Sequence, residues 1–323
     1  MLILLTGGSG NMGTRLATAL LARGERVRIL CMPHDRAIAE LSRLGMEVVF
    51  GDLTDKNSLT PAVQGVDVVF HLAAVLLAPA SVAKEAASER ASSNENIFEQ
   101  VNSLGTRNVV NACVDAQVNH LIYVSSISVM YSLLNPYARS KKQGEGWIRK
   151  SRLKNYTIVR PSLAYNEGGA EEFMRFVSYL KKSFWVFLPD GGKALKRPVH
   201  IDDLVTALLA IPSHSKSYGQ TYLLTGSESI SLKKMAQLLL MHMGKDKKII
   251  SIPIWLCHII VWGCALRTKM SRTQNPFTFQ TLTGLIQDAD FHDEKSHLDL
   301  NFNPRTFRDG IETLTSLKNS LHA

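Results

Sequence analysis

Tyr137 and Lys141 stand four residues apart, which on a helix places both side chains on one face. A tyrosine with an ordinary pKa of about 10 is a poor base at neutral pH. A neighbouring ammonium favours the phenolate and makes proton transfer to or from a substrate oxygen feasible. Just upstream, Val124-Ser125-Ser126 ends an apolar run and can offer a serine hydroxyl that polarises a carbonyl. A lone Tyr-x-x-x-Lys also arises by chance on surface helices, so the elements that position it must supply the rest of the case.

The strongest positioning element is Thr6–Gly13, where Gly7, Gly10 and Gly13 are spaced G-x-x-G-x-x-G between an apolar run and a helical pattern. Glycine serves where the chain turns tightly, where backbone approaches a pyrophosphate, and where helix and strand pack closely. The helix opening at Asn11 and Met12 then presents free N–H groups to phosphate. Downstream, Gly51-Asp52-Leu53 suits an adenine, with Asp52 accepting from its amino group and Leu53 on its ring. In His71-Leu72-Ala73-Ala74, the small ends Leu72, Ala73 and Ala74 would border the cofactor. An acid ending the second strand would pair with a ribose 2′-hydroxyl and select NAD. Cys31 occupies that position, with His34 and Arg36 following, so the reading is NADP or NAD with NADP favoured; Arg36 alternatively opens a solvated helix face.

Short β-branched runs alternate with helical patterns through the first half. The strand candidates are Leu2–Thr6, Val27–Cys31, Glu47–Gly51, Val66–Leu72, His120–Ser125 and Tyr156–Arg160. Met12–Arg23, Arg36–Leu44 and Val101–Ala116 read as helices. Wholly apolar strands in such alternation predict an α/β fold with a doubly wound parallel sheet. Helices over Ala170–Lys182, Asp202–Ala210, Leu232–Met243 and Arg305–Lys318, with a strand at Thr221–Thr225, predict a smaller, mainly helical C-terminal substrate domain. The expected division is 1–165 for dinucleotide binding, rejoined at about 195–225, with 166–194 and 226–323 binding substrate.

The glycine loop, G-D-L, H-L-A-A, Val101-Asn102-Ser-Leu-Gly-Thr106, V-S-S-I and Tyr137-x-x-x-Lys141 follow one another in order. This order resembles the extended short-chain dehydrogenase/reductase family, the NAD-dependent epimerase/dehydratases, from Met1 to about Thr225 and more loosely beyond. The resemblance implies a Rossmann fold, Tyr137 as general acid/base, and Lys141 holding the nicotinamide ribose. It implies Ser126 orienting the substrate oxygen, Asn102 as a structural or proton-relay residue, and Pro161 of Arg160-Pro161-Ser162 beside the nicotinamide. It makes Asp202 and Asp203 of P-V-H-I-D-D structural, and a homodimer through Val101–Ala116 and Pro136–Ser151 the expected assembly.

Within that family, Ser126-Ile-Ser-Val-Met130 lacks the acidic pair of the sugar-nucleotide dehydratases. UDP-sugar 4-epimerases place Arg where Lys196 stands, and bidentate phosphate recognition prefers Arg. Ile252-Pro-Ile-Trp-Leu256, Pro276-Phe-Thr278 and Phe302-Asn-Pro304 instead resemble the 3β-hydroxysteroid dehydrogenase branch. The expected reaction is hydride exchange at a secondary alcohol or ketone of a fairly apolar small molecule. A UDP-sugar epimerase with bound NAD is the alternative, and a non-catalytic dinucleotide-binding subunit the second. Only Ile127–Pro136 separates Ser126 from Tyr137, so the site is expected to be more open, or to be finished by Ala78–Glu99 or by another subunit.

Composition agrees with a globular enzyme: 45% hydrophobic and 20% charged over 323 residues. The net charge of +9 is spread out, with Arg149, Lys150, Arg152 and Lys154 expected along one helix, and no nucleic-acid motif appears. Cys31, Cys113, Cys257 and Cys264 form no CxxC and no metal-ligand spacing, which predicts buried thiols and no metal. With no room for a signal peptide before the glycine loop, the expected compartment is the cytoplasm. Ile249–Leu266 is apolar for 18 residues but interrupted by Pro253 and His258. It reads as a core helix of the substrate domain, or as a peripheral membrane contact through 249–266 or an apolar substrate lid.

Overall fold

A computed structural model describes residues 1–76, 97–168, 171–271 and 279–318. In the first strand, β1 (Leu2–Thr6), every side chain is buried, and the alternation of a strand sends them to two separate cores. Ile3 and Leu5 pack with Leu16 and Leu20 of α1 (Asn11–Ala22), while Leu2 and Leu4 pack with Leu59 of α3 (Lys56–Val63) and Val109 of α4 (Gly105–Asp115). A strand covered on both faces is what the unbroken apolar run predicts.

Six more strands join it: β2 (Arg26–Cys31), β3 (Glu47–Phe50), β4 (Val68–His71), β5 (His120–Val124), β6 (Tyr156–Pro161) and β11 (Gln220–Leu224). Their order is β11-β6-β5-β4-β1-β2-β3, parallel throughout. The chain builds outward from β1 in one direction and from β4 in the other, so a crevice opens between their carboxyl ends, where such sheets bind ligands. The register pairs Thr6 with His71 at that crevice. The doubly wound sheet with a helical C-terminal region is as expected. The remaining helix between strands, α2 (Ile38–Arg43), follows β2.

After β6, the chain forms β7 (Ala164–Tyr165), α6 (Glu171–Lys182), β8 (Val186–Pro189) and β9 (Leu195–Lys196). It returns through β10 (Val199–His200), which pairs with β7, and α7 (Ile201–Ala210), whose Leu204 and Leu208 join the core beside α1. A third core unites Phe173, Val177 and Leu180 of α6 with Met235 and Leu239 of α8 (Leu232–His242), which follows β12 (Ile230–Ser231). Phe307 and Ile311 complete it. Asp203 accepts from Arg305 Nη2 at 2.8 Å and Asp202 from Arg15 at 2.8 Å, so both acids are structural ties.

Three expectations about local structure are corrected. The helix read over Arg305–Lys318 is two, Phe307–Glu312 and Thr315–Lys318, because the Thr313 hydroxyl donates back to Gly310 O at 2.7 Å and ends the first. The basic run 149–154 does not share a helix: α5 (Pro136–Arg149) stops where Ser151 donates to Ile148 O at 2.7 Å. Ile249–Leu266 is not a core helix. Pro253 lacks an N–H and disfavours helix before it. Ile249–Ile252 is therefore a strand, β13, parallel to β8, followed by α9 (Ile254–Ser271) with much of its apolar surface exposed. The remaining described helices are α10 (Phe279–Ile286) and α11 (Lys295–Leu300).

Candidate active site

The glycine loop is built for close approach. Gly7 has φ +71°, the left-handed region, and a Cβ there would lie 2.7 Å from Ala73 N. A Cβ on Gly13 would meet Gly7 O at 2.2 Å, so only glycine lets α1 start this near β1. Gly10 caps α1 with no side-chain hydrogen bond and no acid follows in the first turn, leaving the helix N-terminus to an anion. Met12 packs into the core behind the loop. The Asn11 side chain is occupied: its Nδ2 donates to Gly168 O at 2.8 Å and its Oδ1 accepts from Asn166 at 2.8 Å. It straps the loop after β7 across the crevice, leaving its backbone N–H at the helix start. These residues fit the pyrophosphate of a dinucleotide.

Beside the loop, His71 is fully buried, with Nδ1 2.6 Å from Thr6 Oγ1 and Nε2 2.9 Å from Thr106 Oγ1. Thr106 gives its own proton to Asn102 O at 2.6 Å, so Nε2 must donate and Nδ1 accept. Burial and the charge of Lys141 hold the ring neutral, its pKa pulled down to about 3. This clamp fixes the strand ends from which Leu72, Ala73 and Ala74, all half-buried, border the crevice. Asp52 is half-buried, but its Oδ1 accepts from Thr54 N and Thr54 Oγ1, each at 2.8 Å. Leu53 is buried against Gly105. Arg36 is exposed beyond the end of β2, while nearby Asp35 accepts from Ala37 N at 2.9 Å.

At the carboxyl end of β5 the two serines part company. Ser125 turns inward and donates to Glu145 Oε1 at 2.7 Å. Ser126 faces the crevice and accepts from Ser128 Oγ at 2.9 Å, and its hydroxyl is the one that favours the Tyr137 phenolate, so it is Ser126 that shares the site. Tyr137 lies in the first turn of α5, which Asn135 caps by accepting from Ala138 N at 2.8 Å. Burial and then the Glu172 carboxylate push its pKa well above the tyrosine range, against the opposing effect of the Ser126 hydroxyl. Lys141, one turn on, is buried with Nζ 4.2 Å above the Tyr123 ring. Burial brings the lysine down to about 7 although Glu145 opposes it.

Asn102 occupies a π-helical stretch, Phe98–Leu104, a widened turn often found at functional sites. Its Oδ1 accepts from Val75 N at 2.8 Å, and its Nδ2 donates to Val75 O at 2.9 Å and Ser140 Oγ at 3.1 Å. Every amide position is spent on pinning the segment after β4 to α5. The same stretch sets Phe98 edge-on to Tyr137, with centroids 6.4 Å apart. Pro161 ends β6 and is half-buried on the same edge.

The short link after Ser126 is met by the C-terminal lobe. Tyr131 stacks on Phe291 at 6.3 Å, and Gln287 Nε2 donates to Ser132 Oγ at 3.2 Å. Of the segment Ala78–Glu99, residues up to 96 lie outside the described structure. Sequence reasoning missed Glu145, Glu172, Asn166 and the pairing of Arg160 with Glu145; an acid four residues after Lys141 on one helical face was the available signal for the first. Lys196 is buried, donating to Gly284 O at 2.8 Å and to Gln287 O, while Arg197 pairs with Asp290 at 2.6 Å. Among the described residues no cluster suits a metal ion, and no helix is long and apolar enough to cross a membrane.

The family model described as NAD(P)H-binding matches residues 7–178, a stretch that holds the glycine loop, Ser126, Tyr137 and Lys141. The chain belongs to the NAD(P)H-binding family. It is an NAD(P)-dependent enzyme of the extended short-chain dehydrogenase/reductase type. It is 26% identical to the 4-hydroxy-2-methyl-3-oxo-4-farnesyl-3,4-dihydroquinoline-1-oxide ketoreductase of Stigmatella aurantiaca, over 96% of this chain and 94% of that one. It is 28% identical to short-chain dehydrogenase/reductase family 42E member 1 of Danio rerio, over 80% and 72% of the two chains. The fold matches UDP-glucuronic acid 4-epimerase from Bacillus cereus with a TM-score of 0.75 at 18% identity, covering 100% of both chains.

Proposed function

We propose that this NAD(P)H-binding family member transfers hydride at a secondary alcohol or ketone of a fairly apolar small molecule, with Tyr137 as general acid/base. The observation that carries the reading is the convergence of the Ser126 hydroxyl, which favours the Tyr137 phenolate, and the Tyr137 phenol, with buried Lys141 one turn away. The bound nicotinamide would supply or accept the hydride. For reduction, Ser126 donates to the carbonyl oxygen and polarises the bond. As the carbon gains hydride, the developing alkoxide takes the Tyr137 proton and leaves as the alcohol; oxidation reverses both transfers. A phenol held protonated by burial and Glu172 suits the reductive direction. Lys141 would hold the nicotinamide ribose and balance the phenolate, and Asn102 keeps the cofactor-side wall in place.

The Stigmatella relative bears the name of a ketoreductase for a farnesylated 3-oxo compound, an apolar ketone, which supports the substrate class. The sugar-nucleotide alternative has less support, since Lys196 and Arg197 already serve main-chain carbonyls and Asp290. The test is Tyr137→Phe assayed with NADPH and NADH on a panel of apolar ketones. Dinucleotide binding retained with at least about a hundredfold loss of turnover is the expected result. Undiminished turnover sinks the mechanism, and a UDP-sugar adduct with tightly held NAD in native mass spectrometry would replace it with epimerisation.

A further inference from the structure

α9 carries apolar residues on two opposite faces. Cys257 and Val261 are buried against Leu282, Ile286 and Ile252. On the other side Trp255, Ile259 and Trp262, at i, i+4 and i+7, are 65%, 55% and 64% exposed. A water-facing helix surface is ordinarily polar. Here no Asp, Glu, Lys or Arg occurs from Ile254 to Leu266.

A second apolar feature points the same way. Along β13, alternation puts Ile250 and Ile252 on one face, and the register sets Ile250 beside Phe187 of β8. The inner stripe of α9 packs on Ile252, so its outer stripe faces away from the ribbon on the side where Phe187 is exposed. Just before β8, Phe184 and Trp185 are 83% and 49% exposed and meet edge-to-face at 5.4 Å.

Lysines crowd this aromatic tip. Lys247 Nζ donates to Leu180 O at 2.8 Å and Lys181 O at 3.0 Å, and Lys248 O accepts from Val186 N at 2.9 Å. Those carbonyls take up the Lys247 ammonium, which leaves half-buried Lys181 and Lys245 and exposed Lys182 and Lys248 in the two stretches that flank the tip, with Asp246 the one acid of the run 245–248. Tryptophan and phenylalanine flanked by lysine suit the boundary between lipid headgroups and acyl chains, and each basic residue near an anionic bilayer contributes about 1 kcal/mol.

We propose that this face docks on an anionic bilayer surface. The Trp255–Ile259–Trp262 stripe and the Phe184–Trp185 tip enter the acyl boundary, and the lysines meet lipid phosphates. A second copy of the chain is the poorer occupant, because a two-fold contact through this patch would bring the two lysine clusters together. Docking places the bilayer one helix from the substrate cleft: α9 packs on Leu282 and Ile286, and the next residue, Gln287, reaches Ser132.

The test is cosedimentation of the full chain with vesicles of phosphatidylcholine alone and of 70:30 phosphatidylcholine:phosphatidylglycerol, each in low and high salt. The expected result is salt-sensitive binding to the anionic vesicles, with quenching by brominated lipids carried by Trp185, Trp255 and Trp262 and not by Trp147. The exposed-site variants Trp255→Ser/Trp262→Ser and Phe184→Ser/Trp185→Ser should each bind at least tenfold more weakly while keeping dinucleotide affinity and melting temperature. Wild-type protein that stays in the supernatant with anionic vesicles at low salt overturns the proposal. So does a dimer in solution that Trp255→Ser/Trp262→Ser dissociates with no vesicle binding, which would make the face an interface between copies.

Discussion

Arg160 grips Glu145 with both arms of its guanidinium, Nε to Oε1 at 2.8 Å and Nη2 to Oε2 at 2.6 Å. The pair ties β6 to α5 one turn beyond Lys141, and Ser125 adds a third bond from β5. Burial alone would raise the Glu145 carboxyl. The Arg160 and Ser125 hydrogen bonds, with the charges of Arg160 and Arg149, outweigh it and hold the carboxylate ionised.

Glu145→Ala therefore strips a half-buried guanidinium of its partner and loosens the strand that carries Ser126. The expected cost is about 2–3 kcal/mol, below the range for a fully buried pair because Arg160 keeps some contact with water. Chemical denaturation measures it. A midpoint within error of wild type would mean that the three elements are held together by packing alone.

Much of this was legible in the residues. The glycine loop, the strands, and the Ser126–Tyr137–Lys141 order carry their own geometry, because tight turns and helical spacing leave few alternatives. The Arg160–Glu145 pair was not legible, since it joins positions whose meeting depends on which strand lies beside β5. Ile249–Leu266 misled for a related reason. Apolar content marks burial in something, and only the β8–β13 pairing shows that one stripe of α9 finds protein while the other does not.

Lys141 titrates near neutrality in this fold, at about 7, burial being the main cause. If its ammonium holds the ribose, an anionic dinucleotide binds the protonated form better, and binding near pH 7–8 takes up a proton. Affinity should fall as pH rises through about 7, by at most about tenfold per unit, the slope for one proton. Calorimetry in buffers of different ionisation enthalpy reads the uptake directly. Lys141→Met should flatten the profile; an equally steep profile in that variant would assign the proton elsewhere.

Cofactor choice is expected to rest on Arg36. The end of β2 offers buried Cys31 in place of a carboxylate, and Asp35 is engaged by Ala37 N. Exposed Arg36 is placed to meet a ribose 2′-phosphate, a charge-assisted contact of roughly 1.5–3 kcal/mol. Arg36→Ala should weaken NADP binding about tenfold to a hundredfold and leave NAD nearly unchanged. Equal small effects on both would make Arg36 an ordinary exposed residue of the turn before α2.

Acid should destabilise this protein through histidines that the fold keeps neutral, chiefly His71 and His120. His71 is pulled down to about 3 by burial and the Lys141 charge, and His120 to about 4 by burial. Both bind a proton once unfolded, where the ordinary value is about 6.5. Their folded pKa values are depressed, so the folded state is fully favoured above pH 6.5 and loses stability as pH falls toward 4. At pH 5 the loss is about 2 kcal/mol for each ring. Denaturant titrations at pH 7 and pH 5 give the difference directly, and it should shrink by about 2 kcal/mol in His120→Asn, whose amide can still meet Thr157 at the position where the ring now sits 2.9 Å away. A difference unchanged in that variant would place the acid sensitivity in the carboxylates, with Glu145 the first to examine.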